Sequence, residues 1–166
     1  NKGISMPQYA AWSRDAAALW PQLSGHLLQE TGIDVSLQQP GGFYFSFSDE
    51  DVEARRASMQ AIADRAPGGY PFEMLDRQEL RQRLPQIGPE VAGASFTPMD
   101  GHVNPLKLYR ALDEAGRKLG VRTVRETKVS AITFKDGLFE LASSQGPLRS
   151  HKIVLAAGLG NRDLAT

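Results

Sequence analysis

Apolar residues recur at intervals of three and four near the start of the chain, at Tyr9, Trp12, Ala16, Leu19, Trp20, Leu23 and Leu27. That period places them on one face of an α-helix. Ser5 is a candidate cap ahead of Met6-Pro7, because proline in a first turn has no N–H partner to lose. Pro21 sits inside the pattern and predicts a kink or a split into two helices, and Gly32 closes it. The tryptophans read first as core residues, with ligand stacking by Trp12 or Trp20 as the alternative.

The next stretch changes period. After Val35 and Gln38, Gly41-Gly42 leads into alternating Phe43, Phe45 and Phe47, which a strand places on one face. Ser48 followed by Asp51 is a capping pattern, opening a helix with Val52, Met59, Ile62 and Ala66 on its apolar stripe. Asp76 and Glu79 repeat the device for a short helix with Leu80 and Leu84 inward, stopped by Pro85. A strand is expected over residues 91–97. Asn104-Pro105 then caps a helix carrying Leu108, Tyr109, Leu112, Ala115 and Leu119, closed by Gly120.

Beyond Gly120 the pattern is that of strands. Runs at 121–124, 129–134, 138–141 and 148–150, with a turn at Asp136-Gly137, predict a β-meander. Ile153-Val154-Leu155-Ala156-Ala157 has no alternation, which is how a strand buried on both faces of a parallel sheet reads. Such a strand without neighbours predicts self-association through its exposed edge, or disorder there. The fold class expected is therefore mixed, α+β or α/β, with an antiparallel sheet, flanking helices, a meander and one strand of parallel type.

Composition narrows the function. Across 166 residues, 19 Lys and Arg balance 19 Asp and Glu, so a nucleic-acid or anionic-membrane partner has no electrostatic footprint. With no cysteine there is no disulfide framework, thiol nucleophile or thiolate cluster. The longest apolar run is far too short to span a bilayer. No signal-peptide pattern is legible, and the expected location is cytoplasmic. A chain that opens Asn1-Lys2-Gly3 rather than with Met is expected to be a piece of a longer one.

Little catalytic chemistry is legible. His26, His102 and His151 are far apart, with no spacing that places two imidazoles on one metal. The acidic run Asp49-Glu50-Asp51 is what a helix dipole favours in a first turn, and no metal is expected there. There is no GxSxG elbow and no Walker loop. Gly158-Leu159-Gly160 is the one loop that could admit a cofactor close to the backbone, although on pattern alone a tight strand-to-helix turn is the favoured reading. The full GxGxxG fingerprint is absent from the chain.

Six segments together resemble a known family: Pro40-Gly41-Gly42-Phe43, Ser48-Asp49-Glu50-Asp51-Val52, Gly93-Ala94-Ser95-Phe96, Gly101-His102-Val103-Asn104-Pro105, Glu126-Thr127-Lys128-Val129 and Val154-Leu155-Ala156-Ala157-Gly158. Their order and spacing are similar to glycine-oxidase-like members of the D-amino-acid-oxidase-like FAD-dependent oxidoreductases, from Tyr9 to Leu164.

The resemblance implies an antiparallel substrate-domain lobe over residues 1–103. Residues 104–166 would be a return segment of an incomplete Rossmann-like FAD domain. It implies FAD as cofactor, with the Val129 backbone at the adenine and Ala156, Ala157 and Gly158 along the adenosine end. The family's fingerprint would precede Asn1, and its substrate-binding arginine and flavin-facing aromatics would follow Thr166. No catalytic residue carries over to this chain, and no metal site is implied. The implied chemistry is hydride transfer from a small amino acid or amine to flavin, leaving an imine that hydrolyses, with oxygen or another acceptor reoxidising the flavin. Sarcosine oxidases and D-amino-acid dehydrogenases are the nearest competitors within the family. A non-enzymatic binding or scaffold module that has lost the flavin site is the alternative from another class.

Overall fold

The computed structural model describes residues 7–164, so the expected cap Ser5 and its neighbour Met6 lie outside the described residues. The chain divides into two units, one ending at Leu119 and the other beginning at Gly120.

In the first unit, helix α1 (Pro7–Thr31) runs unbroken through Pro21. Proline removes the N–H that would bond the carbonyl four residues back, that of Ala17. Gln39 replaces it: its Nε2 donates to the Ala17 carbonyl at 3.0 Å. The expected split does not occur because a side chain from another segment fills the gap in the ladder. The apolar face of α1 also differs from expectation. Trp12 is 71% exposed and Leu19 is exposed, whereas Ala10, Ala11 and Leu27 are the buried positions. Small residues let α1 lie close against helix α2 (Asp49–Arg65), where Ala10 and Ala11 meet Ala66, Ile62 and Tyr70. Farther along, Leu27 and Val35 pack with Ala111 and Leu108 of helix α4 (Pro105–Lys118).

A three-stranded antiparallel sheet stands beside these helices, ordered β1 (Gly42–Ser46), β3 (Gly93–Thr97), β2 (Glu73–Asp76). Register pairs Phe43 with Phe96, Tyr44 with Ser95 and Leu75 with Ala94. Period two then separates two faces. Phe43, Phe45, Phe96, Leu75 and Ala94 join Leu80 and Leu84 around helix α3 (Arg77–Arg83) to make one core. Tyr44, Gly93 and Ser95 face α2. A Cβ at Gly93 would stand 2.8 Å from the Leu75 carbonyl and 3.0 Å from Val52 Cγ2, so glycine here is what lets α2 approach. Phe47 lies past the end of β1 and is exposed rather than sharing the face of Phe43 and Phe45.

The cap chemistry follows the sequence. Ser48 accepts from Asp51 N, Asn104 accepts from Lys107 N, and Asp76 with Glu79 forms a reciprocal capping box.

The second unit is a meander of β4 (Val129–Lys135), β5 (Leu138–Ser143) and β6 (Leu148–Ser150), antiparallel throughout. Asp136 (φ 51°) and Gly137 (φ 80°) make its two-residue turn, both left-handed as a type I′ hairpin requires. No strand forms over residues 121–124 or 153–157. A strand exists only by pairing, and among the described residues none lies beside either run. Val154 is accordingly 89% exposed. A turn of 3₁₀ helix (Gly158–Gly160) and a short helix α5 (Asn161–Leu164) follow. No helix among the described residues is long and apolar enough to cross a membrane.

Candidate cofactor-contact site

Within the second unit a cavity of about 530 Å³ opens between the start of β4 and the segment leading to α5. Val129, Ala156 and Ala157 line it, with Lys128, Asn161 and Asp163. Three of the four residues singled out in the sequence thus meet at one place, although β5 and β6 intervene in the chain. Gly158 is not among the lining residues and sits at the turn behind it, with φ +57°.

Each wall has a local cause. The first is the loop into β4. Glu126 adopts φ 52°, a left-handed conformation unusual for a residue with a side chain, and Thr127 Oγ1 donates to the Arg125 carbonyl at 2.9 Å. Lys128 is then tied to Ser144 in both directions: its N–H donates to Ser144 Oγ at 3.1 Å and its carbonyl accepts from Ser144 N at 2.9 Å. A β-bulge between Val129 and Ala131 breaks the register beside the cavity, and bulges re-aim backbone where they occur.

The second wall is held by Asn161. Its Oδ1 accepts from Ala157 N at 2.9 Å and its Nδ2 donates to the Leu155 carbonyl at 3.2 Å, so one side chain fixes the loop from both sides. Nothing in the sequence reading singles this residue out. The available signal is an asparagine just after Gly158-Leu159-Gly160, where short amide side chains bind nearby backbone.

The wall is suited to a flat ligand. Ala156 and Ala157 offer only methyl groups to the cavity. These residues fit an adenosine group approaching over small side chains, the role the family resemblance implies for them. No group of three or more acids or histidines able to hold a metal occurs among the described residues.

A second cavity, about 250 Å³, lies in the first unit between α1 and residues 99–103. Trp20, Gln39, Asp100 and His102 line it. Trp20 therefore faces a cavity, whereas Trp12 is exposed and does not line it.

The chain runs from a helix-flanked antiparallel sheet through a β-meander to a small-residue turn. The sequence profile described as FAD dependent oxidoreductase (DAO) matches residues 2–166, and the chain belongs to that family, whose cofactor is FAD. A subunit of the opine oxidase of Agrobacterium tumefaciens (strain Ach5) is 43% identical over 166 residues, which is 99% of this chain and 45% of that protein. Glycine oxidase of Bacillus licheniformis is 27% identical over 148 residues, 89% of this chain and 38% of that protein. The crystal structure of glycine oxidase from Geobacillus kaustophilus superimposes with a TM-score of 0.80 at 26% identity, covering 95% of this chain and 43% of that one. The chain thus spans less than half the length of these relatives. The glycine-oxidase-like resemblance and the mixed fold class expected from the sequence are borne out.

Proposed function

We propose that this chain is part of a longer FAD-dependent oxidase or dehydrogenase acting on a small amino acid or amine. The observation that carries the reading is the family match over residues 2–166, with relatives that include a glycine oxidase and a subunit of an opine oxidase. In this reading residues 1–103 contribute to the substrate lobe and residues 104–166 return to the FAD domain, in a cytoplasmic protein.

Val129, Ala156, Ala157 and Gly158 have the task of binding and orienting the adenosine end of the cofactor. Backbone polar groups and small side chains do this without charge, which leaves recognition of the pyrophosphate to glycines and a helix N-terminus outside this sequence. The chemistry supplied by the flavin is acceptance of a hydride from an amine-bearing carbon, leaving an imine for hydrolysis. No residue of this chain is assigned a proton-transfer role. Exposed apolar residues over 153–157 support self-association of the chain when it is expressed alone.

The test has two arms. Full-length protein should carry a flavin absorbance band and form product, with peroxide if oxygen is the acceptor, across a panel of amines and amino acids. The 166-residue chain alone should bind no FAD tightly, because the GxGxxG fingerprint that recognises pyrophosphate is absent from it and hydrogen bonds to charged groups contribute roughly 1.5–3 kcal/mol each. A yellow 166-residue protein would show the cofactor contacts to be misplaced. A colourless full-length protein would end the oxidase reading.

A further inference from the structure

We propose that Asn161 is a positioning residue for the adenosine end of the cofactor. Its side-chain amide stands in for the backbone of a neighbouring strand, ends pairing at Leu155 and holds open the crevice lined by Ala156 and Ala157. The cofactor part of the statement rests on the oxidase reading above.

The hydrogen-bond pattern carries the inference. Asn161 Nδ2 donates to the Leu155 carbonyl at 3.2 Å, and Oδ1 accepts from the Ala157 N–H at 2.9 Å. A parallel neighbour bonds a strand in the same way: one of its residues donates to the carbonyl before a given position and accepts from the N–H after it. Here that position is Ala156. One amide therefore occupies both groups that the next strand would need. The run 153–157 has the unalternating apolar sequence of a parallel strand, so such a neighbour is what its backbone otherwise attracts. Pairing on the Asn161 side stops at the Leu155 carbonyl.

The residue type and its placement fit this task. Among short side chains an amide supplies a donor and an acceptor together without charge, whereas aspartate at neutral pH has no donor. The Asn161 backbone N–H bonds the carbonyls of Gly158 and Leu159, closing the turn that brings the amide back over the run it follows.

The end of pairing coincides with the cavity. Ala156, Ala157 and Asn161 all line the space of about 530 Å³ described above. Ala156, the residue bracketed by the amide, makes no hydrogen bond through its own N–H or carbonyl among the described residues, so both remain for a ligand. In open α/β sheets ligands bind beyond the carboxyl ends of strands, where neighbouring strands part. A side chain that halts one neighbour produces such a parting.

The test uses full-length protein stripped of flavin and titrated with FAD or with FMN, which lacks the adenosine, each followed by flavin fluorescence. Asn161→Ala should weaken FAD binding by about tenfold, a loss on the order of one hydrogen bond. FMN affinity and the melting temperature of the flavin-free protein should not change, so the preference for FAD over FMN falls by the same factor. A merely structural role would weaken both flavins alike. Amide exchange at Ala157 should accelerate in the variant, since its acceptor is gone. If Asn161→Ala fails to fold, Asn161→Asp carries the same comparison, keeping the shape and the acceptor and losing the donor.

Equal FAD affinity in wild type and variant would overturn the proposal and leave the oxidase reading standing. Equal losses for FAD and FMN would also overturn it. A wild-type protein that binds no FAD would remove the oxidase reading and the proposal together.

Discussion

In the β1–β3–β2 sheet every residue of the central strand except Phe96 is buried, whereas in the β4–β5–β6 meander no described residue is. Both sheets are antiparallel and both carry aromatic pairs, Phe43 with Phe96 at 4.8 Å and Phe134 with Phe139 at 4.7 Å between ring centroids. The difference lies in what covers them. The first sheet has α2 on one face and α3 on the other. The second has only the short α5, in a unit too small to enclose a core of its own. Apolar sequence alone therefore does not make a core, and the open meander is also where the candidate cofactor cavity sits.

The contrast can be broken by substitution. Leu80 is fully buried in the α3 core, and Leu80→Ala should cost about 2–5 kcal/mol in urea denaturation. Leu141→Ala in the half-exposed meander should cost less than about 1 kcal/mol. Equal losses would mean that the meander is covered in solution and the contrast is false.

Two glycines sharpen it next. Gly93→Ala drives a methyl against the Leu75 carbonyl and Val52, and should lower stability by about 1–3 kcal/mol. Gly158→Ala meets no atom within 4 Å, so its cost is only the left-handed backbone, about 1–2 kcal/mol, confined to the turn. In full-length protein, Gly158→Ala should reduce flavin content with little change in the global unfolding midpoint, and Gly93→Ala should do the reverse. Flavin content unaffected by Gly158→Ala would place that turn outside the cofactor site.

The smallest effect is in pH. Burial, reinforced by Asp100, raises the Tyr70 pKa above its ordinary value of 10.0. The unfolded chain then loses this proton first, so the folded state is favoured by Tyr70 below pH 10 and loses that contribution as pH rises through the folded value. Tyr70→Phe should flatten the stability curve above pH 10 and leave it unchanged at neutrality. An unchanged alkaline slope would mean that Tyr70 is solvated.

Local chemistry makes much of the fold legible. The Asp76–Glu79 capping box, the Asn104-Pro105 start of α4 and the Asp136-Gly137 turn each involve residues a few positions apart, and each forms as its side chains require. Long-range partners are not legible. The period of α1 is helical, but which side turns inward depends on Ala66 and Ala111, and these favour Ala10, Ala11 and Leu27 over the tryptophans. The run at 153–157 has strand character without a partner to express it. Val129, Ala156 and Ala157 stand out through likeness to a family, since nothing in their spacing brings them together. Asn161 does not stand out in the sequence, because its partners are set by the folded chain.

The Gln39 bond to the Ala17 carbonyl bears on how the molecule comes apart and goes together. Before residues 37–39 dock, Pro21 leaves α1 as two short helical stretches with a gap in the ladder, and helices of that length are marginal in water. The helix becomes continuous only when the segment that follows it folds back along it, so its two halves melt as one with that loop. Gln39→Ala should lower stability by about 1 kcal/mol. It should also accelerate amide hydrogen exchange over residues 17–25 more than over residues 26–31, where Leu27 remains packed against α4. Uniform acceleration along the helix would show that its continuity does not depend on Gln39. A polar side chain in a loop thus sets the cooperative unit of a helix to which it does not belong.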